Sequence, residues 1–224
     1  MVRRLRRPRS REALGYAGLA LACLLLFGWL TGLVMTGRTE GWDNQVMLSL
    51  AQDRRPWLSW WMTVLGAVGS GAVEAPLVLL LLYGLVSRRR VAEARWYGVA
   101  VLSGWALYAV AKLMVHRARP HVISYLMHGA GWYSYPSGHS MLGPLVFGLG
   151  AIVWAVPWRQ RTARWGILGA ATLLSAAIGI SRVYVGVHYP TDAIGGLLLG
   201  TGWSAMWLYW WERREAGPVA KSIG

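Results

Sequence analysis

The chain has 224 residues, of which 55% are hydrophobic and 14% charged, and its formal net charge is +14. This composition excludes a disordered chain, and the single cysteine, Cys23, excludes an internally disulfide-bonded scaffold. The 15 Trp and 10 Tyr residues are typical of an interface between an apolar medium and water.

The first long apolar run covers residues 13–35, which are 23 residues without a charge. A helix of that length crosses about 30 Å of hydrocarbon, and no small-residue cleavage site follows it, so a permanent span is predicted. Similar runs lie at residues 75–86, 96–111, 141–158, 165–180 and 193–211. The chain is therefore predicted to be an all-α, polytopic membrane bundle with about six spans, in one domain covering residues 1–224.

The second predicted span is the later part of a longer apolar stretch. Residues 57–86 are broken only by Glu74, and as one helix they would be about 45 Å long, which is too long for one crossing. Because Gly66, Gly69 and Gly71 interrupt the stretch, we predict an interfacial helix over about 57–68 and the span over about 72–86. Residues 42–52 are predicted to form a further interfacial helix.

The basic residues predict the orientation. If both termini are cytoplasmic, 16 of the 23 basic residues lie inside, including those of a basic segment over residues 1–12 and a tail over residues 212–224. This bias explains most of the charge without nucleic acid and predicts a multi-pass protein of the cell membrane. The other seven lie outside: Arg38, Arg54, Arg55, Lys112, Arg117, Arg119 and Arg182.

Three short clusters of polar residues include or lie near several of the outer cations. The clusters are Lys112-x6-Arg119-Pro120, Pro136-Ser137-Gly138-His139 and Ser181-Arg182-x5-His188-x3-Asp192. Fifteen residues separate the first two, too few for a crossing, whereas 41 residues separate the last two and allow two spans. All three clusters are therefore predicted to meet at the outer membrane surface.

These residue types indicate phosphate chemistry. Arginine binds phosphate oxygens in pairs, and the amides at the start of the helix after Ser137 attract anions. Asp192 lies one helical turn after His188 and can hold one imidazole nitrogen while the other attacks. His139 is then the candidate acid for the leaving oxygen.

Other polar residues lie before, within or between the clusters. Arg117 and His116 are predicted to be accessory or solvated. The spacings of His116, His121 and His128 do not suit a metal, so no metal is predicted. Two interpretations of Glu74 stay open, a substrate contact and a cap of the second span.

In this order, the three clusters resemble the motifs of the type 2 phosphatidic acid phosphatase superfamily, a group of lipid phosphate phosphatases. The resemblance implies that His188 attacks phosphorus to form a phosphohistidine, that Asp192 orients it, and that His139 protonates the leaving group. It further implies no cofactor, and it implies a substrate such as phosphatidic acid, phosphatidylglycerophosphate or undecaprenyl diphosphate. By the same resemblance the phosphate is held by Lys112, Arg119, Ser137, Gly138 and Arg182.

Two alternatives to a lipid phosphatase stay open. A phosphotransferase of the same superfamily would pass the phosphate to an acceptor other than water. A non-enzymatic transporter is the third class, and the intact His139, His188 and Asp192 argue against it. The expected partners are the bilayer and its lipid phosphates, and the active site is expected on the extracytoplasmic face.

Overall fold

The computed structural model describes residues 10–127, 131, 133–155 and 160–216. All regular secondary structure within these ranges is helical. Three parts of the chain that were named above lie outside the described residues. They are residues 1–9 of the basic N-terminal segment, tail residues 217–224 and His128. The predicted all-α class is confirmed for the described part of the chain.

The described part of each predicted apolar run is helical. The helices are α1 Ser10–Met35, α2 Glu40–Gln52, α3 Pro56–Val68, α4 Gly71–Ser87, α5 Val91–Val115, α6 Gly138–Gly143, α7 Gly150–Ala155, α8 Arg161–Tyr184 and α9 Pro190–Ala216, with a π-helical turn at Pro144–Leu149. The predicted break in the second apolar stretch is confirmed, because α3 and α4 separate at Gly69 and Ser70. Residues 42–52 likewise form a helix of their own, α2.

Five helical segments in the described ranges are long and apolar enough to span a membrane: Glu12–Met35, Pro56–Ser87, Val91–Val115, Gly138–Ala155 and Thr162–Tyr184. The 27-residue α9 is not among them, although six spans were predicted. It packs along α1 and buries much of its surface there and against α6 and α8. A helix that faces other helices needs less apolar surface than one that faces lipid, which accounts for its lower hydropathy.

The helix that begins at Gly138 is continuous through α6, the π-helical turn and α7. The turn starts at Pro144, which has no N–H to continue the α-helical ladder, and this accounts for the local widening. Gly196 and Gly200 of α9 lie against the backbone of this helix. A Cβ at Gly196 would overlap the carbonyl oxygen of Ser137, and one at Gly200 would overlap that of Met141. The pair therefore serves close helix packing.

A buried ion pair marks one end of the bundle. Arg164, near the start of α8, bonds to Glu212 near the end of α9, and its Nη2 lies 3.9 Å from Glu12 near the start of α1. At the same end, Arg90 donates to the carbonyl oxygen of Val153 over 2.6 Å. Arg164 and Arg90 were counted above only as basic residues that orient the chain. Both also hold helix ends together.

Candidate active site

The three motif clusters meet at the opposite end of the bundle. Lys112 lies in the last turn of α5 and Arg119 follows in the next loop. His139 is the second residue of α6, and Arg182 lies in the last turn of α8. His188 and Asp192 then flank the start of α9. All eight residues predicted to form the site thus belong to segments that meet here.

His188 is held by a carboxylate on one side of its ring. Its Nδ1 lies 3.4 Å from Oδ2 of Asp192 and 3.4 Å from the hydroxyl of Ser134. The same Asp192 oxygen accepts bonds from the backbone N–H of Tyr189 over 2.8 Å and from Ser134. Among the described residues, Nε2 of His188 has no hydrogen-bond partner, so this nitrogen is the one that can react.

The protonation state of His188 follows from its surroundings. Only 3% of the residue is exposed, and this burial lowers the pKa of His188 to about 4. The nearby Asp192 carboxylate opposes the shift without cancelling it. The imidazole is therefore neutral at neutral pH and carries a lone pair, as a nucleophile must.

Two of the site's cations have no anionic partner within the described ranges. Arg182 is 5% exposed and its Nε has no hydrogen-bond partner. Nζ of Lys112 lies 4.9 Å from the centre of the Tyr108 ring, and no described carboxylate pairs with it. Because a buried charge is costly unless it is paired, these side chains are arranged for an anion that the protein itself does not supply.

Arg119 is positioned by backbone carbonyls. Its Nε donates to the oxygen of Gly131 and its Nη1 donates to that of Val187, each over 2.5 Å. Burial lowers the pKa of Arg119, but a guanidinium stays charged near neutral pH. Its remaining nitrogen, Nη2, has no partner among the described residues and can bind a phosphate oxygen.

The start of α6 contributes the other predicted groups. His139 is half-buried and lies close enough to the cations Lys112, Arg119 and Arg182 to interact with them electrostatically. The hydroxyl of Ser137 is buried and has no partner among the described residues. Gly138 packs against the Tyr108 ring so closely that an added Cβ would lie 3.0 Å from it.

The Arg182 side chain packs against a glycine that lies outside the motifs. Gly66 of α3 faces the Arg182 guanidinium, and a Cβ there would lie 2.8 Å from Nη1. The sequence indicated Gly66 only as an interruption of an apolar stretch. Its position shows that it leaves space for a cation of the site.

Of the two alternatives predicted for Arg117, accessory or solvated, the solvated one is wrong. Its side chain is 10% exposed and forms salt bridges to Asp43 over 2.6 Å and to Asp192 over 2.8 Å. Burial alone would lower the pKa of Arg117, but the two carboxylates raise it above its ordinary value. Asp43 was missed because it lies 74 positions before Arg117, so no local spacing indicates the pair.

Glu74 is not a helix cap. It is 1% exposed, and neither carboxylate oxygen has a hydrogen-bond partner among the described residues. His116, in contrast, is exposed and stands edge-on to the Tyr133 ring at 4.5 Å.

Comparison with known proteins adds independent findings. Residues 93–216 match the family model of the PAP2 superfamily. Phosphatidylglycerophosphatase B of Bacillus subtilis (strain 168) is 29% identical over 186 residues, which are 80% of this chain and 88% of that protein. Undecaprenyl-diphosphatase of Sulfolobus acidocaldarius is 30% identical over 166 residues, which are 71% of this chain and 72% of that protein.

A solved structure is similar over nearly the whole chain. It is the crystal structure of the first transmembrane PAP2 type phosphatidylglycerolphosphate phosphatase from Bacillus subtilis, with a TM-score of 0.74 and 25% sequence identity. The match covers 91% of this chain and 98% of that one.

Proposed function

Because this chain belongs to the PAP2 superfamily and is a phosphoric ester hydrolase, we propose that it removes a phosphate from a membrane lipid through a phosphohistidine intermediate. The observation that carries the proposal is a pair of cations without a described anionic partner, the buried Arg182 and the half-buried Lys112, beside a neutral imidazole held by Asp192. Such a set binds the phosphate and supplies the nucleophile at one place.

The proposed reaction has two steps. Nε2 of His188 forms a bond to phosphorus while the bond from phosphorus to the lipid oxygen breaks, and His139 gives that oxygen a proton. His139 then takes a proton from water, whose oxygen attacks phosphorus and releases inorganic phosphate from His188. Asp192 stabilises the positive charge that develops on the His188 ring during the first step.

The negative charge of the transferring phosphoryl group is matched by protein groups. Lys112, Arg119 and Arg182 face it as cations, and the amide of Gly138 and the hydroxyl of Ser137 are donors at the start of α6. We propose that these groups stabilise the charge of the phosphoryl group in place of the metal ion that many phosphatases use. Excess EDTA should then leave the rate unchanged.

The proposed substrate is a long-chain lipid phosphate or diphosphate. The site lies at the ends of membrane-length helices, so a phosphate can reach the cations while its tail remains in hydrocarbon. Each buried CH₂ contributes about 0.8 kcal/mol, so the tail supplies much of the binding. The named relatives act on phosphatidylglycerophosphate and undecaprenyl diphosphate, which makes these two the first candidates. We further propose that the site faces the extracytoplasmic side of the cell membrane.

The test measures phosphate release by purified protein in detergent from phosphatidylglycerophosphate, phosphatidic acid and undecaprenyl diphosphate. Each lipid is compared with a short-chain analogue that has the same head group, and a sugar phosphate is the soluble reference. We expect a much higher kcat/KM for the long chains. Equal efficiency on the sugar phosphate would contradict a lipid substrate.

The same assay tests the nucleophile. His188→Ala should lower turnover by several orders of magnitude, because a covalent nucleophile is lost. The matched control is His121→Ala, which removes an exposed imidazole from the loop after α5 and should leave turnover unchanged. Turnover of His188→Ala within about tenfold of wild type would exclude the mechanism. Transfer of phosphate to an added lipid acceptor instead of water would favour a phosphotransferase.

A further inference from the structure

A buried acid from α2 reaches the start of α9. Asp43 is fully enclosed, and its Oδ1 accepts a bond from the backbone N–H of Thr191 over 2.9 Å. Its Oδ2 accepts bonds from the Thr191 hydroxyl and from Nη2 of Arg117, each over 2.6 Å. Asp43 therefore holds both the first turn of α9 and the guanidinium that bonds to Asp192.

The Arg117 guanidinium bonds to both carboxylates. Its Nη1 donates to Oδ1 of Asp192 over 2.8 Å and to the Thr191 hydroxyl over 2.7 Å, while Nη2 bonds to Asp43. The guanidinium also lies over the Tyr189 ring, 4.0 Å from its centre. Because a guanidinium is a planar fork, fixing one nitrogen on Asp43 fixes the direction of the other toward Asp192.

We infer that Asp43 and Arg117 are positioning residues that set the orientation and charge of Asp192 and thereby the reactivity of His188. With Arg117 bonded to one oxygen of Asp192, the other oxygen is turned to His188. Two carboxylates share one guanidinium, so the trio keeps one net negative charge. That charge stabilises the imidazolium that develops as His188 attacks.

This inference rests on the proposed role of His188, but it extends the site beyond the recognised motifs. Asp43 lies 50 residues before the start of the segment that matches the family, and Arg117 lies between the specified residues of the first cluster. The α2 helix, predicted only as an interfacial element, thus supplies part of the device that orients the nucleophile.

The test is a rapid-quench measurement of phosphoenzyme formation with a labelled lipid phosphate. Asp43→Asn keeps the size of the side chain and removes its charge. We expect the rate constant of the burst to fall at least about tenfold, because small misplacements of reacting groups have effects of this size. The burst amplitude and KM should stay near wild type, since the phosphate-binding cations are not changed.

Two further variants make the test decisive. Asp53→Asn makes the same change at an exposed position directly after α2 and should leave the rate constant unchanged. Thr191→Val removes the hydroxyl between Arg117 and Asp43 without changing charge, and a smaller loss of the same rate constant is expected. It replaces Asp43→Asn if that variant does not fold.

A double variant, Asp43→Asn with Arg117→Gln, asks whether the two residues act as one unit. If they do, the burst rate constant of the double variant should be no smaller than that of the slower single variant, because the effects of substituting coupled residues are not additive. An unchanged rate constant in Asp43→Asn, or a loss of amplitude alone, would overturn the inference. If wild type hydrolyses lipid phosphates and His188→Ala does not, the proposed function stands whatever Asp43→Asn shows.

Discussion

His188 illustrates how a residue acquires its chemistry from distant parts of the chain. The spacing of four residues predicted its pairing with Asp192, and the two side chains are in contact. The enclosure that keeps the ring neutral comes instead from the segments packed around it, and the Ser134 hydroxyl that bonds to Asp192 is 58 residues away. Local sequence could therefore predict the pair but not its protonation state.

The enclosure of His188 predicts an unusual pH dependence. An attacking imidazole must be neutral, and burial lowers the pKa of His188 from 6.5 to about 4. As pH falls, protonation of His188 should therefore lower kcat/KM only toward pH 4 and not near pH 6.5. The measurement is kcat/KM against pH for the free enzyme, whose ionisations this ratio reports.

The substrate phosphate also titrates, so the pH profile needs a control. A lipid monophosphate and a lipid diphosphate ionise differently, and a decline that both substrates share belongs to the enzyme. A shared loss of kcat/KM below about pH 6.5 would mean that His188 titrates as an exposed imidazole does.

At the scale of helices, close packing brings together the two histidines that are proposed to be catalytic. α9, whose first turn follows His188, lies against α6, which carries His139, with Gly196 and Gly200 at the contact. The four-residue spacing of Gly196 and Gly200 is typical of a helix-packing surface, but only the fold identifies α6 as the partner. Because the contact is made by backbone on both sides, a side-chain rotation cannot relieve a larger residue there.

Gly200→Ala should therefore separate α6 from α9. Its Cβ would overlap the carbonyl oxygen of Met141, and overpacking of this kind costs about 1–3 kcal/mol of folding free energy. We expect a lower Tm in detergent and a loss of phosphatase activity at temperatures where the variant is still folded.

The matched variant is Gly169→Ala in α8, where nothing lies within 4 Å of an added Cβ. Here alanine favours the helix by up to about 1 kcal/mol, so Tm should be unchanged or higher and activity should be retained. Equal Tm values for Gly200→Ala and Gly169→Ala would mean that the contact between α6 and α9 tolerates a methyl group.

At the scale of the whole molecule, the two ends of the bundle differ in charge and role. The start of α1 and the end of α9 meet at the Arg164 ion pair, and the site lies at the other end. Because α1 starts and α9 ends at one surface, the helices between them cross an even number of times, and we propose α9 as a sixth crossing beside the five segments that qualify by hydropathy. Along the sequence, 16 of the 23 basic residues belong to the termini or to connections on the Arg164 side of the predicted topology, and we propose on this ground that the Arg164 end is cytoplasmic.

Single cysteines test this orientation in a Cys23→Ser background. Arg90→Cys and Gln160→Cys lie at the Arg164 end and should be shielded from a membrane-impermeant maleimide in intact cells. His121→Cys lies in the exposed loop at the site end and should be labelled. Permeabilised cells provide the control for reactivity. The reverse labelling pattern would mean that the site faces the cytoplasm.

The sequence by itself determined the helical class, the division of residues 57–86 into two helices and the grouping of the site clusters. These features depend on local hydrophobicity, on glycine positions and on loops too short to cross a membrane, all of which are visible along the chain. Only the tertiary structure decided that Arg117 links Asp43 to Asp192, that Arg182 is buried without a described anionic partner, and that His188 is neutral. Burial and long-range ion pairs depend on which helices pack together, and no spacing along the chain encodes that arrangement.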